Sequence, residues 1–212
     1  TYKNGTSIQT GTSSANPIQR SLQSRLDDFV NVRSFGANGD GTDQTLALQR
    51  AIDQLYLPWS GASDADSLKK RVTLKLDAGL YKINDSLKVP PYVNLVGDGS
   101  DKTVIEQTGA FAVIETINGN GINAQTSSTN QSNIIRLQGM TLKSYLTNPA
   151  LKLSSTKDSQ FIDIKLQGPW TQGSAINATQ VGLLMEATST PVTTQNNNFE
   201  KLKVVGFSYG IL

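Results

Sequence analysis

The chain has 212 residues, a formal net charge of +2, and neither cysteine nor histidine. The lack of these two residue types excludes disulfides, thiolate metal sites and histidine acid–base chemistry, so any catalysis must use carboxylates, lysines, tyrosines or hydroxyls. The charge gives no strong attraction to nucleic acid, no apolar run approaches the roughly 20 residues of a membrane helix, and 18 glycines with 17% charged residues favour short strands joined by polar turns.

The chain opens with a polar leader and a short amphipathic helix. Residues 1–16 are small and polar and have no hydrophobic period, so alone they would bury too little apolar surface to fold. From Pro17 onward, apolar residues recur at helical spacing, at Ile18, Leu22, Leu26 and Phe29. We expect a helix whose apolar stripe packs either on its own domain or against another subunit.

A compact turn and a second helix follow a brief strand predicted at Val30 and Val32. The segment Phe35–Thr45 is dense in glycine, asparagine and aspartate, which favours a tight turn. Either Asp43 or Thr42 can accept backbone N–H bonds and so begin the helix. An apolar stripe over the next three turns predicts one buried helix face, formed by Leu48, Ala51, Ile52 and Leu55.

Short strands are predicted from Arg71 to the end, after a stretch without period at Pro58–Lys70 that we expect to be an exposed loop or insertion. Apolar and polar residues alternate in VTLKL (72–76) and YVNLVGDG (92–99), so each strand turns one face to a core. A triplet of apolar residues then repeats, and each copy is followed by a second apolar group. The triplets are Leu137/Met140/Leu142, Phe161/Ile164/Leu166 and Phe199/Leu202/Val204, and the groups that follow are Leu151/Leu153, Leu183/Met185 and Ile211.

This repeat decides between two all-β architectures. Its steps of 24 and 38 residues suit coils of one solenoid with an insertion between Gly168 and Gln180. A β-sandwich also has short alternating strands, but it has no reason to repeat the same triplet followed by the same pair. We therefore predict a solenoid whose core receives Phe161, Ile164, Phe199 and Leu202.

Two segments resemble the start of the pectate-lyase-like domain, a fold of many phage tailspikes and some carbohydrate-active enzymes. LDDFVNVRSFGANGDGTDQTLALQRAID (26–53) is similar to the family's helix, strand, FGA-x-GDG turn and capping helix, and VTLKLDAGLYKINDSLKVPPYVNLVGDGSDKTVI (72–105) to its first full coil. The resemblance implies an all-β fold: a right-handed parallel β-helix with an N-terminal capping α-helix and a short leader helix. Gln44 stands where the family often has Asp, and Asp77 stands where it often has Pro. These differences affect helix capping and turn geometry.

The resemblance also implies an organisation and a role. Residues 1–30 are expected to be a linker and helix for virion attachment or oligomerisation, and residues 31–212 the start of a β-helix domain truncated at its C-terminal end. The expected protein is a phage tailspike or tail-fibre component of the virion tail, the stem of a receptor-binding protein that recognises host polysaccharide outside the cell, with or without cleaving it. The alternatives are a stand-alone polysaccharide lyase or glycoside hydrolase, and a structural baseplate or fibre protein without receptor contact.

Partners are implied as well. The resemblance predicts a homotrimer, contacts of the leader with other tail or baseplate proteins, and contacts of later coils with host cell-surface polysaccharide. No nucleic acid, membrane insertion, cofactor or metal is expected.

Few residues stand out as carriers of chemistry. Glycoside hydrolysis needs two carboxylates about 5 to 10 Å apart, and Asp163 and Glu200 are candidates because they sit in repeated triplets and could lie on neighbouring coils. Lys165 and Lys203 could act as bases in an elimination. The candidates for stacking on sugar rings are Trp170 and Tyr145. Ordinary surface or packing roles explain all of these side chains as well, and we expect residues 1–212 alone to be catalytically inert.

Overall fold

The structure, a computed structural model, describes residues 29–56, 72–117, 132–145, 148–172, 179–187 and 193–212. Apart from Phe29, the predicted leader helix lies outside these ranges. The loop predicted at Pro58–Lys70 and residues 173–178 of the predicted insertion also lie outside them.

Short strands and a single α-helix make up the regular structure of the described residues, with a 3₁₀ turn at Val32–Phe35. The helix is α1 (Thr45–Tyr56). In chain order the strands are β1 (Phe29–Asn31), β2 (Asp40–Asp43), β3 (Thr73–Leu76), β4 (Gly79–Ile83), β5 (Leu87–Val89), β6 (Asn94–Gly97), β7 (Thr103–Gln107), β8 (Ile114–Thr116), β9 (Ser132–Asn133), β10 (Arg136–Lys143), β11 (Leu151–Ser154), β12 (Thr156–Lys157), β13 (Gln160–Gln167), β14 (Val181–Glu186), β15 (Asn198–Glu200), β16 (Lys203–Val205) and β17 (Tyr209–Ile211).

The strands stack coil over coil in parallel ladders. The first ladder runs β1-β3-β6-β10-β13-β15 and the second β2-β4-β7-β10-β13-β16, because the eight-residue strands β10 and β13 take part in both. The third ladder runs β5-β8-β11-β14-β17, and β9 pairs with β12. Every pairing between these strands is parallel. The fold is a parallel β-helix, as predicted.

The core consists of apolar columns that follow the ladders. Each column is in strict register, so every coil contributes one side chain at the same height on the pleat. The first column is Leu74, Leu95, Leu137, Phe161 and Phe199; the second is Tyr81, Ile105, Leu142, Leu166 and Val204; the third is Leu87, Ile114, Leu151, Leu183 and Ile211.

The predicted repeat is confirmed by these registers, with one qualification at the last coil. Phe161 and Ile164 are fully buried, whereas Phe199 and Leu202 are partly buried against the same core. Met185 and Ile211, which sequence pattern placed in the second apolar group, are 38% and 54% exposed. Core burial therefore decreases toward β15–β17.

Helix α1 closes the other end of the stack. It buries Leu48, Ala51 and Ile52 as predicted, and also Tyr56, whereas Leu55 is only partly buried. The Gln49 side-chain amide donates to the Lys88 carbonyl (3.1 Å) and accepts from the Lys88 N–H (2.9 Å), so it pairs with the free edge of β5 as a neighbouring strand would. The helix thus covers the apolar end of the core and also provides hydrogen-bond partners for the backbone of the edge strand β5.

Tyr56 anchors the C-terminal end of this lid. Its hydroxyl lies 2.9 Å from the carbonyl oxygen of Val72, which directly precedes β3, and 3.0 Å from that of Asn94, the first residue of β6. Burial raises the pKa of Tyr56 to about 12, despite the opposing effect of backbone groups at Asn94 and Leu74. The phenol therefore stays protonated and able to donate over the whole physiological range.

The glycine-rich segment before α1 depends on left-handed backbone conformations and on its own side-chain hydrogen bonds. Gly36, Gly39 and Gly41 all adopt positive φ, and a Cβ on Gly39 would lie 2.9 Å from the Tyr81 ring. Asp40 accepts from the Thr42 N–H (3.0 Å) and the Gln44 amide (2.6 Å), while Gln44 accepts from the Gly39 N–H. Hydrogen bonds from Thr42 are the main reason that the pKa of Asp40 is lowered.

Two details differ from expectation, and a third decides between the two predicted helix-capping residues. Val32 lies in the 3₁₀ turn rather than in a strand, because the chain must bend at once to place the glycine turn beside Tyr81. The segment predicted as turn contains the short strand β2, which pairs with β4. Asp43, not Thr42, accepts from the first helical N–H, that of Thr45 (3.1 Å), while the Thr42 hydroxyl donates to Asp40.

Candidate functional site

The residues predicted to carry chemistry lie on or beside the outer face of the first two ladders, in the coils of β10, β13 and β15–β16. At the middle of this face the chain bends at one register position in each coil. Gly139, Asp163 and Lys201 all have positive φ there (66°, 51° and 54°). The bend lets β10 and β13 continue from the first ladder into the second.

Asp163 has a structural partner at this bend. Its carboxylate accepts from the Ser100 hydroxyl (2.8 Å) and from the Ser100 N–H (3.2 Å). The Thr141 hydroxyl in turn donates to the Ser100 carbonyl, so the turn at 98–102 lies across the outer face of β10 and is fastened to β13. Both oxygens of the Asp163 carboxylate are therefore used to hold a turn.

Glu200 lies on the neighbouring coil but not opposite Asp163. The register pairs Glu200 with Ile162, and the position next to Asp163 is taken by Lys201. Glu200 is exposed, whereas Asp163 is half-buried. The two carboxylates are thus adjacent in the stack but offset, and their use as an acid–base pair stays a prediction.

Tyr145 and Trp170 each follow the end of a strand in the second ladder, Tyr145 after β10 and Trp170 after β13. We call this edge of the outer face the rim; the two residues lie there in successive coils. Lys143 and Gln167 are opposite each other in β10 and β13, and each aromatic residue follows within three positions. The backbone of Trp170 is held by its main-chain N–H, which donates to the Gly206 carbonyl (3.2 Å). Tyr145 and Trp170 are 45% and 42% exposed, as sugar-stacking residues must be.

A lysine is held beside the first of these aromatic rings. The Lys143 ammonium nitrogen lies 4.6 Å from the centre of the Tyr145 ring and 3.0 Å from a carboxylate oxygen of Glu106. Burial would lower the pKa of Lys143, but the Tyr145 hydroxyl and the Glu106 carboxylate together raise it. Lys143 therefore remains charged and is already neutralised by Glu106.

The outer face of the third ladder is also neutralised. Charges alternate along it from coil to coil: Lys88 pairs with Glu115, Glu115 with Lys152 (3.2 Å), and Lys152 with Glu186 (2.9 Å). Glu186 further accepts from the Ser154 hydroxyl (3.0 Å). We call this row the charge ladder; it explains Glu186 as a structural residue.

The charge ladder predicts acid sensitivity centred on Glu115. Burial pushes the pKa of Glu115 up, but hydrogen bonds and attraction from Lys88 and Lys152 outweigh it and leave the pKa below the ordinary 4.5. Because the folded-state pKa is lowered, Glu115 contributes stability that is complete above pH 4.5 and is lost as pH falls below it. Glu115→Gln should cost about 1 kcal/mol at neutral pH and reduce the acid-induced loss.

Urea denaturation of both proteins at neutral pH and at several values below 4.5 measures this effect. Glu200→Gln is the control, because Glu200 is exposed and forms no ion pair with the described residues. An acid slope that Glu115→Gln leaves unchanged would contradict the assignment.

The described residues contain neither a candidate metal site nor a candidate membrane-spanning helix. No three His, Cys, Asp or Glu side chains there are grouped so as to hold a metal ion. Within the same ranges, no helix has the length and apolar character that crossing a membrane demands.

Comparison with known proteins defines the family. Residues 29–207 match the rhamnogalacturonase A/epimerase, pectate-lyase-like family, and the chain belongs to it. The matched region begins at β1 and ends between β16 and β17, so it includes the lid, the bend with Asp163 and the rim with Tyr145 and Trp170.

Individual relatives are more distant. The chain is 30% identical over 94 residues to a glucan 1,3-beta-glucosidase of Cochliobolus carbonum, which covers 41% of this chain and 10% of that protein. The structure of ORF18 from Geobacillus virus E2 aligns with a TM-score of 0.56 and 19% identity over 84% of this chain and 37% of that one. The mannuronan C-5 epimerase A-module of Azotobacter vinelandii aligns with a TM-score of 0.39 and 13% identity, over 83% and 69%. This chain thus spans 10% of the length of the glucosidase and 37% of the length of the viral protein.

Proposed function

We propose that this chain is the N-terminal stem of a phage tailspike or tail-fibre protein that recognises host surface polysaccharide. The observation that carries the proposal is the closed end of the solenoid: α1 and Gln49 seal it, and three ladders run from it through the described coils. In-register ladders form a rigid rod, which suits a stem that holds a receptor-binding region away from its attachment point.

Family membership supports the polysaccharide part of the proposal, since the names of the family and of its glucosidase relative refer to polysaccharide chemistry. The virion part rests on the sequence resemblance of the leader and FGA turn to tailspikes. A viral protein shares the fold, and at that identity it supports the fold alone.

Antibodies raised against the chain test the virion part. They should label the tail in electron micrographs of particles released from cells that carry the gene, and the full-length protein should bind intact host cells but not cells stripped of surface polysaccharide. Secreted protein without labelled particles would favour a stand-alone lyase or hydrolase. Labelled particles without polysaccharide-dependent binding would favour a structural baseplate or fibre protein.

The same proposal includes assembly and location. The leader at residues 1–30 joins tail or baseplate proteins, and the domain at 31–212 begins a rod that works outside the cell. We expect the full-length protein to be a homotrimer, because the predicted leader helix has an apolar stripe, closed symmetry is usual for homo-oligomers, and the spikes that the sequence resembles are commonly trimeric. Light scattering should give three times the chain mass; the mass of one chain would overturn this expectation.

Residues 1–212 alone are expected to be inert on polysaccharide. The Asp163 carboxylate is held by Ser100, and Glu200 is offset from it, so the pair lacks the facing arrangement that glycoside hydrolysis requires. Incubation with capsular polysaccharide and lipopolysaccharide should yield no new reducing ends and no ultraviolet absorbance from unsaturated sugars. Turnover that disappears in Asp163→Ala or Glu200→Ala would place an active site in this segment.

A further inference from the structure

One part of the outer surface is not neutralised. Lys165 of β13 and Lys203 of β16 are directly opposite in the parallel register, so their side chains leave the sheet about 4.8 Å apart. Both point outward, because Leu166 and Val204 beside them belong to a core column. Like charges placed directly opposite in a sheet are destabilising.

No carboxylate of the described residues forms an ion pair with either lysine. Asp163 lies two residues before Lys165, but Ser100 occupies its oxygens. Glu200 lies three residues before Lys203, and exposed Lys201 stands between them. In the charge ladder and at Lys143, by contrast, the fold places a glutamate on the neighbouring strand beside the lysine. At Lys165 and Lys203 the neighbouring strand brings a second lysine instead.

The surroundings of this lysine pair suit a sugar chain. The next outward position along β13 after Lys165 is Gln167, and Trp170 follows at the rim. The backbone distance from Lys165 to Trp170 is at most about 17 Å. An ammonium pair, an amide and an exposed aromatic ring thus follow one another along β13 and the three residues after it. The turn at 98–102, fastened to Asp163, bounds the other end of this strip.

We infer that the outer face of β13 and β16 binds an anionic saccharide, with Lys165 and Lys203 holding one carboxylate or phosphate group and Trp170 stacking on a sugar further along the chain. An oxyanion between the two ammonium groups would relieve their repulsion and form charge-assisted hydrogen bonds with both. The inference takes from the proposed function only that the ligand is polysaccharide, and it assigns binding, not cleavage, to these coils.

The test uses the 212-residue chain and isothermal titration with three polymers: a polyuronate, a sugar phosphodiester polymer and a neutral glucan. Binding to at least one polyanion, weakened by added salt, is expected, and the two polyanions separate a carboxylate from a phosphate ligand. Lys165→Gln/Lys203→Gln should weaken binding by about tenfold or more. Lys165→Arg/Lys203→Arg should retain it, and Trp170→Ala should weaken it without changing its salt dependence.

Arg50→Gln/Lys82→Gln is the charge-matched control, since it removes two positive charges on α1 and β4, away from the strip, and should change affinity less than about twofold. Equal losses in both glutamine pairs would reduce the effect to net charge and overturn the inference. Failure to bind both polyanions would also overturn the inference. So would binding of single-stranded DNA with an affinity equal to that for the polyanionic saccharide. None of these results affects the stem role, which particle labelling tests separately.

Discussion

Replacing Phe161 by alanine is expected to lower the free energy of unfolding by about 3 to 5 kcal/mol. Phe161 is fully buried in the first core column, between Leu137 and Phe199. Its ring stacks on that of Phe199 with centroids 5.0 Å apart and an angle of 16° between planes. The substitution therefore leaves a cavity in the middle of a column and removes an aromatic pair, which itself contributes about 0.5 to 1.5 kcal/mol.

Two comparisons make this prediction specific. Phe199→Ala removes the same pair from a partly buried position and should cost only about 2 kcal/mol, below the value that a fully buried phenylalanine would give. Phe161→Leu keeps most of the volume and should cost less than about 2 kcal/mol. Urea denaturation followed by circular dichroism ranks the three variants. A Phe161→Ala protein as stable as the unchanged chain would refute the column.

The core columns of the later coils could be predicted from sequence because they depend on a local rule. Successive coils present the same apolar positions, so Leu137, Phe161 and Phe199 appear as a repeat once the strands are aligned. The earlier members Leu74 and Leu95 occupy the same column. The sequence does not present them as copies of the triplet, because turns separate the first ladder from the second in those coils.

The arrangement of the site could not be predicted in the same way, because it depends on contacts between distant turns. Asp163 looks like any outward carboxylate in the sequence, and only the fold places Ser100, 63 residues earlier, against it. The neutralisation of Lys143 by Glu106 likewise follows from register between coils. A repeat alignment extended to β7 could have found that second pair, since the two residues occupy equivalent positions.

Gly97→Ala is the second change with a large expected effect, on the order of 3 kcal/mol or more. Gly97 ends β6, where the next coil passes close by: an added Cβ would lie 2.3 Å from the Gly139 carbonyl oxygen and 2.9 Å from the Thr103 Cβ. Neither contact can relax cheaply. The first is backbone, and Thr103 is fully buried with its hydroxyl accepting from the Asp98 N–H (2.9 Å).

Two other glycines separate the causes of this loss. Gly36 has φ +94° and open space around its Cα, so Gly36→Ala should cost about 1 to 2 kcal/mol from backbone conformation alone. Gly210→Ala meets nothing closer than 3.7 Å, at Val204, and needs no left-handed φ, so its effect should stay within about 0.5 kcal/mol. Urea midpoints, with the soluble fraction on expression for variants that do not fold, should rank Gly97→Ala as the most damaging, then Gly36→Ala, then Gly210→Ala. If Gly97→Ala were no worse than Gly36→Ala, the coils could not approach at Gly97 as closely as the structure places them.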